Sequence, residues 1–220
     1  MNDDRSKHLA TTAINTDGYD DDSDQEEQIN GPFVKFLDGE WAIGGMPIDS
    51  PYQPIALAVA HTYTRWQNQS VIDEIADKPL PDLDALNAAI PKEEWELDMD
   101  GKPRPPWSST LKIFFLDPTT GERSIYATST IGGKIAWGRL VDKVKWIRRL
   151  RGENVLPRVA LDVAPMKTRF GMKKRPEFKF LEWVDLNTGT PPPAAEAPQL
   201  QKVEEPTLAE DLNDEISWRR

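Results

Sequence analysis

Leu111-Lys-Ile-Phe-Phe-Leu-Asp-Pro-Thr-Thr-Gly-Glu-Arg-Ser-Ile-Tyr-Ala-Thr128 is the stretch of the chain that decides the fold. Two runs rich in β-branched and aromatic residues, 111–116 and 124–128, flank the segment Asp117-Pro-Thr-Thr-Gly121. Proline, threonine and glycine between two such runs are typical of a β-hairpin turn. We therefore predict two adjacent antiparallel strands here.

The next segment has the signals of a single helix. Thr128-Ser-Thr130 supplies side chains suited to an N-cap, and Gly152 is suited to the C-terminal end. Between them we predict a helix over 133–150. At 100° per residue one face of it is apolar, which predicts a core-facing side; its members are Ala136, Leu140, Val144 and Ile147.

Three further strands are predicted around this unit. Ile55–Trp66 alternates larger apolar side chains with smaller or polar ones, and Val159–Val163 and Phe178–Val184 follow the helix. The order of three strands, one helix and two strands is that of the OB-fold, a five-stranded, partly open barrel that binds oligonucleotides. The fold class is therefore mainly β (α+β). Order alone does not fix strand pairing, so an α+β sheet of different topology is the alternative.

This interpretation also divides the chain into segments. Residues 1–30 and 187–220 are acidic or proline-rich with little apolar periodicity, and we expect both to be disordered tails. The folded domain is expected at 31–186, with a hairpin at Phe33–Ile43 and a long acidic, proline-containing insertion at 67–110 between the first two strands of the barrel.

Composition excludes several classes of function. The chain has no cysteine and two histidines, so thiolate or imidazole zinc sites and Ser/Cys-His relays are not expected. We predict no catalytic residues, no metal and no cofactor.

No apolar run is long enough for a membrane helix, and the first thirty residues lack the pattern of a secretory signal. The expected location is the cytoplasm.

Charge is strongly segregated along the chain. The net charge is −10, yet residues 111–186 hold sixteen basic and eight acidic side chains, a net of +8. A basic block of this kind can bind phosphates locally although the whole protein is acidic. A solvated basic face without a ligand is the alternative.

Two parts of this block are candidates for DNA contacts. Trp146 lies off the apolar face of the predicted helix among basic residues, and Lys167–Arg175 places five cations around Phe170 between the last two strands. Lysine and arginine neutralise phosphates, and an aromatic ring can stack on any base. The predicted DNA-binding residues are Trp146, Arg148, Arg149, Lys167, Arg169, Phe170, Lys173, Lys174 and Arg175.

Two short patterns favour other chemistry. Gly132-Gly-Lys134 suggests a phosphate contact at a helix start, but the complete P-loop pattern is absent. Asp162 followed by Glu177-Phe-Lys179 has the order of carboxylates and lysine found in metal-dependent nucleases. A nuclease is therefore a less favoured alternative function.

The C-terminal segment carries a different signal. Asp211-Leu-Asn-Asp-Glu-Ile-Ser-Trp218 places an acidic run directly before apolar side chains. It resembles the acidic tip of bacterial and phage single-stranded-DNA-binding proteins, with Ser217 and Trp218 in place of proline and phenylalanine. The resemblance implies recruitment of replication or recombination enzymes, and it assigns the partner-binding role to Asp211, Asp214, Glu215, Ile216 and Trp218.

The central segments also resemble a group of uncharacterised phage and prophage proteins, on Trp107, 129–134, 157–162 and 175–180. Together these features predict a single-stranded-DNA-binding protein without sequence preference and without enzymatic activity. The alternative from another class is a protein-interaction adaptor, or an inhibitor whose acidic segments mimic DNA.

Overall fold

The structure is a computed structural model that describes residues 18–19, 31–48, 52–68, 70–98, 101–169 and 171–185. The elements in chain order are β1 (Phe33–Leu37), β2 (Glu40–Ile43), β3 (Met46–Pro47), β4 (Ile55–Gln67), β5 (Ser70–Ile75), α1 (Leu83–Ala88), a 3₁₀ turn (Lys92–Glu94), β6 (Trp107–Leu116), β7 (Arg123–Thr128), α2 (Ile131–Arg151), β8 (Val155–Thr168) and β9 (Gly171–Asp185).

The strands form one mixed sheet, and the prediction of a mainly β protein is confirmed. The order across the sheet is β3-β2-β1-β7-β6-β4-β8-β9, and β5 pairs with β4. All pairs are antiparallel except β1 with β7, which are parallel through Val34 and Tyr126. Within the described residues the sheet does not close on itself by backbone pairing, and β3 and β9 are its ends.

The predicted strands correspond to β4, β6, β7, β8 and β9, and the single predicted helix lies between β7 and β8. The hairpin expected at 33–43 is formed by β1 and β2. The sheet nevertheless has nine strands in the part of the chain that the structure describes. The additional ones include β5, which lies with α1 inside the segment expected to be an insertion.

Aromatic side chains from distant strands meet in the core. The ring of Trp41 on β2 lies 5.3 Å from that of Tyr126 on β7 and 5.9 Å from that of Phe178 on β9. Its indole Nε1 donates a hydrogen bond of 3.0 Å to the carbonyl oxygen of Asp162 on β8. Side chains of the β1–β2 hairpin therefore connect β7 to the two C-terminal strands.

Helix α2 covers this core with the face that the sequence predicted. Leu140 and Val144 are completely buried. The Thr130 side chain caps the start by accepting a 3.1 Å hydrogen bond from the amide of Gly133. At the other end Gly152 has a φ of 93°, a conformation that glycine adopts without strain.

Tyr19 belongs to the segment expected to be a disordered arm, and it lies in the core. It is completely buried, and its hydroxyl donates a 3.1 Å hydrogen bond to the carbonyl oxygen of Ala56. The core thus extends beyond the predicted start at residue 31. The rest of 1–30 and all of 187–220 lie outside the described residues.

Candidate nucleic-acid interface

A groove of about 640 Å³ separates α2 from the β8–β9 ribbon, the antiparallel pair formed by these two strands. Apolar residues such as Leu140 and Phe178 contribute to its lining. Among the described residues, the charged side chains that line it are three cations and two carboxylates: Arg139, Lys143, Lys179, Asp162 and Glu177. It combines apolar surface with a small excess of positive charge.

Local periodicity explains why these charges converge. Arg139 and Lys143 are four residues apart on α2, so they lie on the same side of the helix. Glu177 and Lys179 are two residues apart on β9 and share one face of that strand. Asp162 is the direct cross-strand partner of Glu177.

The two carboxylates of the groove have different surroundings. Glu177 accepts from Arg139 at 3.1 Å through Oε1, and its Oε2 lies 2.5 Å from the guanidinium of Arg175. Asp162 is exposed, and its Oδ1 accepts a 2.7 Å hydrogen bond from the amide of Val163. Among the described residues, no cation lies within ion-pair distance of the Asp162 carboxylate.

Trp146 is exposed on α2, as the helical wheel predicted. Its side chain is 52% exposed, and Lys143 Nζ lies 4.7 Å from the ring centroid. Since Lys143 also lines the groove, this cation links the aromatic surface of Trp146 to the groove.

The far end of the ribbon carries most of the remaining predicted contacts. We call its exposed cations Lys167, Arg169, Lys173 and Lys174 the basic tip. The turn between β1 and β2 approaches this region, because a Cβ on Gly39 would lie 2.2 Å from the side chain of Lys174. Phe170, the aromatic residue predicted to stack on a base, lies outside the described residues.

Two predicted DNA contacts are corrected by their burial. Arg148 is 5% exposed; its Nε donates a 3.4 Å hydrogen bond to the Val155 carbonyl, and its guanidinium lies 4.9 Å from the ring centroid of Tyr19. Arg175 is 6% exposed, and it contacts Glu177 and the Pro176 carbonyl. Both guanidinium groups therefore stabilise the fold and are not available to phosphates in this conformation.

The other predicted contacts fall into two separate groups. A Cβ on Gly132, at the start of α2, would lie 2.9 Å from that of Arg175. Fourteen residues of helix separate Gly132 from Trp146, about 21 Å at 1.5 Å per residue. The start of α2 contacts β9 at Arg175, next to the basic tip. Trp146 and the exposed Arg149 lie near the opposite end of the helix.

The residues that connect these two groups were not among the predicted contacts. Arg139, Lys143 and Lys179 line the groove between them. The sequence could have indicated Arg139 and Lys143, because their spacing places them on one side of the helix. Spacing alone does not predict that this side of the helix packs against the ribbon.

A second polar cluster lies near the start of α2. His61 Nε2 is 2.9 Å from the hydroxyl of Ser109, and its ring meets that of Tyr63 edge-on at 5.6 Å. Burial, followed by the positive charges of Lys134 and Lys78, lowers the pKa of His61. Its imidazole is therefore predominantly neutral at pH 7.

The two short patterns have structural explanations. A Cβ on Gly133 would lie 2.0 Å from Thr128 Oγ1, so close packing requires glycine there.

The nuclease pattern does bring Asp162, Glu177 and Lys179 to one groove. However, Glu177 is already engaged by two guanidinium groups, and the described residues contain no group of three or more histidine, cysteine, aspartate or glutamate side chains that could hold a metal.

The predicted partner-binding residues lie outside the described residues: Asp211, Asp214, Glu215, Ile216 and Trp218.

In the part of the chain that is described, no helix is long and apolar enough to cross a membrane. No protein-family model matches the chain, and no curated protein or solved structure is similar enough to match it.

Proposed function

We propose that the protein binds single-stranded DNA without strong sequence preference, along a path from the basic tip through the groove to Trp146. The observation that carries this proposal is the groove, whose Arg139, Lys143 and Lys179 lie between the exposed cations of the ribbon and the exposed indole.

The affinity would come chiefly from phosphate contacts. Each cation that neutralises a phosphate releases a condensed counterion, which favours binding and makes it depend on salt. Trp146 would add a stacking surface that any base can use, and a flexible single strand can bring its bases to such a surface. Lys143, positioned over the indole, would meet the phosphate next to a stacked base.

We also propose that β4, β6, β7, β8 and β9 with α2 correspond to an OB-like barrel. Their order in the sheet, β7-β6-β4-β8-β9, leaves β7 and β9 as the two strands that would meet in a closed barrel. The β1–β2 hairpin takes that position, since β1 pairs with β7 while Trp41 of β2 contacts Phe178 of β9. This substitution supports a barrel whose seam is filled by the N-terminal hairpin.

The biological setting follows from the C-terminal resemblance. On this proposal the segment ending in Ile216-Ser-Trp218 recruits replication or recombination enzymes to the bound strand. A protein-interaction adaptor or DNA mimic is the alternative, and it predicts no oligonucleotide binding by the groove.

The test is the salt dependence of oligo-dT binding, measured by fluorescence anisotropy with wild type and the double variant Arg139→Ala/Lys143→Ala. Removing two phosphate contacts should flatten the slope of log K against log salt by about 1.4, at roughly 0.7 per contact on a single strand. The matched control is Lys92→Ala/Lys102→Ala, which changes the net charge equally at two exposed sites outside the groove.

The control should keep the wild-type slope. Equal slopes in all three proteins would contradict the groove as the binding path. Absence of salt-dependent binding by the wild type would contradict DNA binding altogether and would favour the adaptor.

A further inference from the structure

We propose that Asp162 accepts hydrogen bonds from the edge of one base in the bound strand and thereby favours guanine at that position. This inference rests on the proposed function and adds a base preference to it. It starts from Asp162, the one charged side chain among the described lining residues that neither phosphate binding nor an ion pair explains.

The electrostatic position of Asp162 is unfavourable for binding phosphates. A carboxylate in the same groove as Arg139, Lys143 and Lys179 repels the phosphates that these cations attract. Asp162 also lies directly opposite Glu177, and like charges in directly opposed positions destabilise a strand pair.

Glu177 is compensated by two guanidinium groups, whereas the described residues provide no such cation for Asp162. The fold therefore explains the charge of Glu177 and leaves that of Asp162 unexplained.

The geometry leaves the Asp162 carboxylate able to accept further hydrogen bonds. It is exposed, and its one hydrogen bond within the described residues runs from the amide of Val163 to Oδ1. An ionised carboxylate has about four acceptor positions on its two oxygens and no donor. Its ligand must therefore present donors, which a phosphodiester lacks and a base amino group supplies.

The four bases differ in the donors that they offer. Guanine presents N1–H and the N2 amino group side by side, so both carboxylate oxygens can accept at once in a bidentate arrangement. Cytosine and adenine each offer a single amino group beside a ring acceptor. Thymine offers one N–H between two carbonyl oxygens, which repel a carboxylate. The expected preference is guanine first and thymine last.

The experiment compares three strands of equal length by fluorescence anisotropy: oligo-dT, the same strand with guanine at alternate positions, and that strand with hypoxanthine in place of guanine. Hypoxanthine keeps N1–H and lacks the N2 amino group, so the second pair isolates one hydrogen bond. Wild type should bind the guanine strand about fivefold more tightly than the hypoxanthine strand.

Asp162→Asn should bind both purine strands equally, because the amide replaces one acceptor oxygen with an NH2 donor and cannot accept N1–H and N2–H side by side. It should bind oligo-dT at least as tightly as wild type. Retained oligo-dT binding also shows that the variant is folded. The matched control is Asp142→Asn, which removes an exposed carboxylate of α2 outside the groove lining and should keep the fivefold difference.

Three results would overturn the inference: equal wild-type affinity for the guanine and hypoxanthine strands, a difference that persists in Asp162→Asn, or a difference that appears only with added magnesium. The last would indicate a metal between Asp162 and Glu177. Each leaves the proposed function intact as long as oligo-dT still binds with the expected salt dependence.

Discussion

Arg148 and Arg149 are neighbours in the chain with opposite surroundings. Arg148→Ala removes a buried guanidinium that donates to the Val155 carbonyl and lies over Tyr19, so we expect the free energy of unfolding to fall by about 2–4 kcal/mol. Arg149 is exposed, and Arg149→Ala should change stability by less than about 0.5 kcal/mol. Urea unfolding followed by Trp fluorescence measures both.

The same pair should differ in the opposite sense in DNA binding. Arg149→Ala should flatten the salt slope by about 0.7 if Arg149 contacts one phosphate. Equal stability losses for the two variants would contradict the assignment of Arg148 to the core.

His61 should make stability depend on pH. Its pKa is lowered in the folded state by burial and then by Lys134 and Lys78, so the unfolded chain binds a proton at higher pH than the folded one. The stability that the neutral His61 contributes should therefore be fully present above the unfolded-state pKa of about 6.5. It should decrease as the pH falls through and below that value.

His61→Gln removes this titration. The urea midpoint of the variant should therefore fall less between about pH 7.5 and about pH 5.5 than that of wild type. A wild-type midpoint that rises over the same decrease in pH would show that the sign is wrong.

Residue-scale predictions from sequence succeeded where one element determines the environment. The wheel for α2 placed Leu140 inside and Trp146 outside, because helical periodicity alone decides these positions. Arg148 and Arg175 were misassigned because their burial depends on Tyr19 and on Gly132, which are distant in the chain. No local pattern carries that information.

At the scale of the elements, Gly133 and Gly138, two of the three glycines in α2, should respond oppositely to alanine. A Cβ on Gly133 would lie 2.0 Å from Thr128 Oγ1, which is itself 3.0 Å from the hydroxyl of Thr130. Gly133→Ala should therefore disturb the N-cap and destabilise the protein by about 1–3 kcal/mol.

A Cβ on Gly138 would meet no atom within 4 Å apart from its chain neighbours and the nearby helix backbone, and Gly138→Ala should stabilise the helix by about 0.5–1 kcal/mol. Thermal unfolding followed by circular dichroism tests the pair, and a stabilised Gly133→Ala would show that the start of α2 tolerates a larger separation from β7.

The helix and the buried strands were predictable because each has a clear apolar period. β5 was missed because nearly all of its residues are exposed, so burial imposes no alternation on its sequence. The parallel pairing of β1 with β7 could not be predicted either, since it joins Val34 to Tyr126 without a local turn. Pairing between strands far apart in sequence is set by tertiary packing.

At the scale of the whole molecule, the charge segregation along the chain becomes a spatial one. The basic block includes α2, β8 and β9, which enclose the groove. Residues 70–98 and 101–106 carry nine acidic and four basic side chains, and none of them lines the groove. The sequence therefore predicted which segments carry the positive charge but not the groove, which exists only once α2 packs against the ribbon.

The parallel pairing of β1 with β7 also constrains the order of events during synthesis. The β1–β2 hairpin leaves the ribosome early, but Val34 must wait for Tyr126, and Trp41 must wait for Phe178. At typical elongation rates that interval is on the order of ten seconds. Until it ends, Val34 and Trp41 lack these two native partners, and the apolar side of the hairpin is available to chaperones or to other nascent chains. These two strands therefore reach their final positions only after strands that are made later.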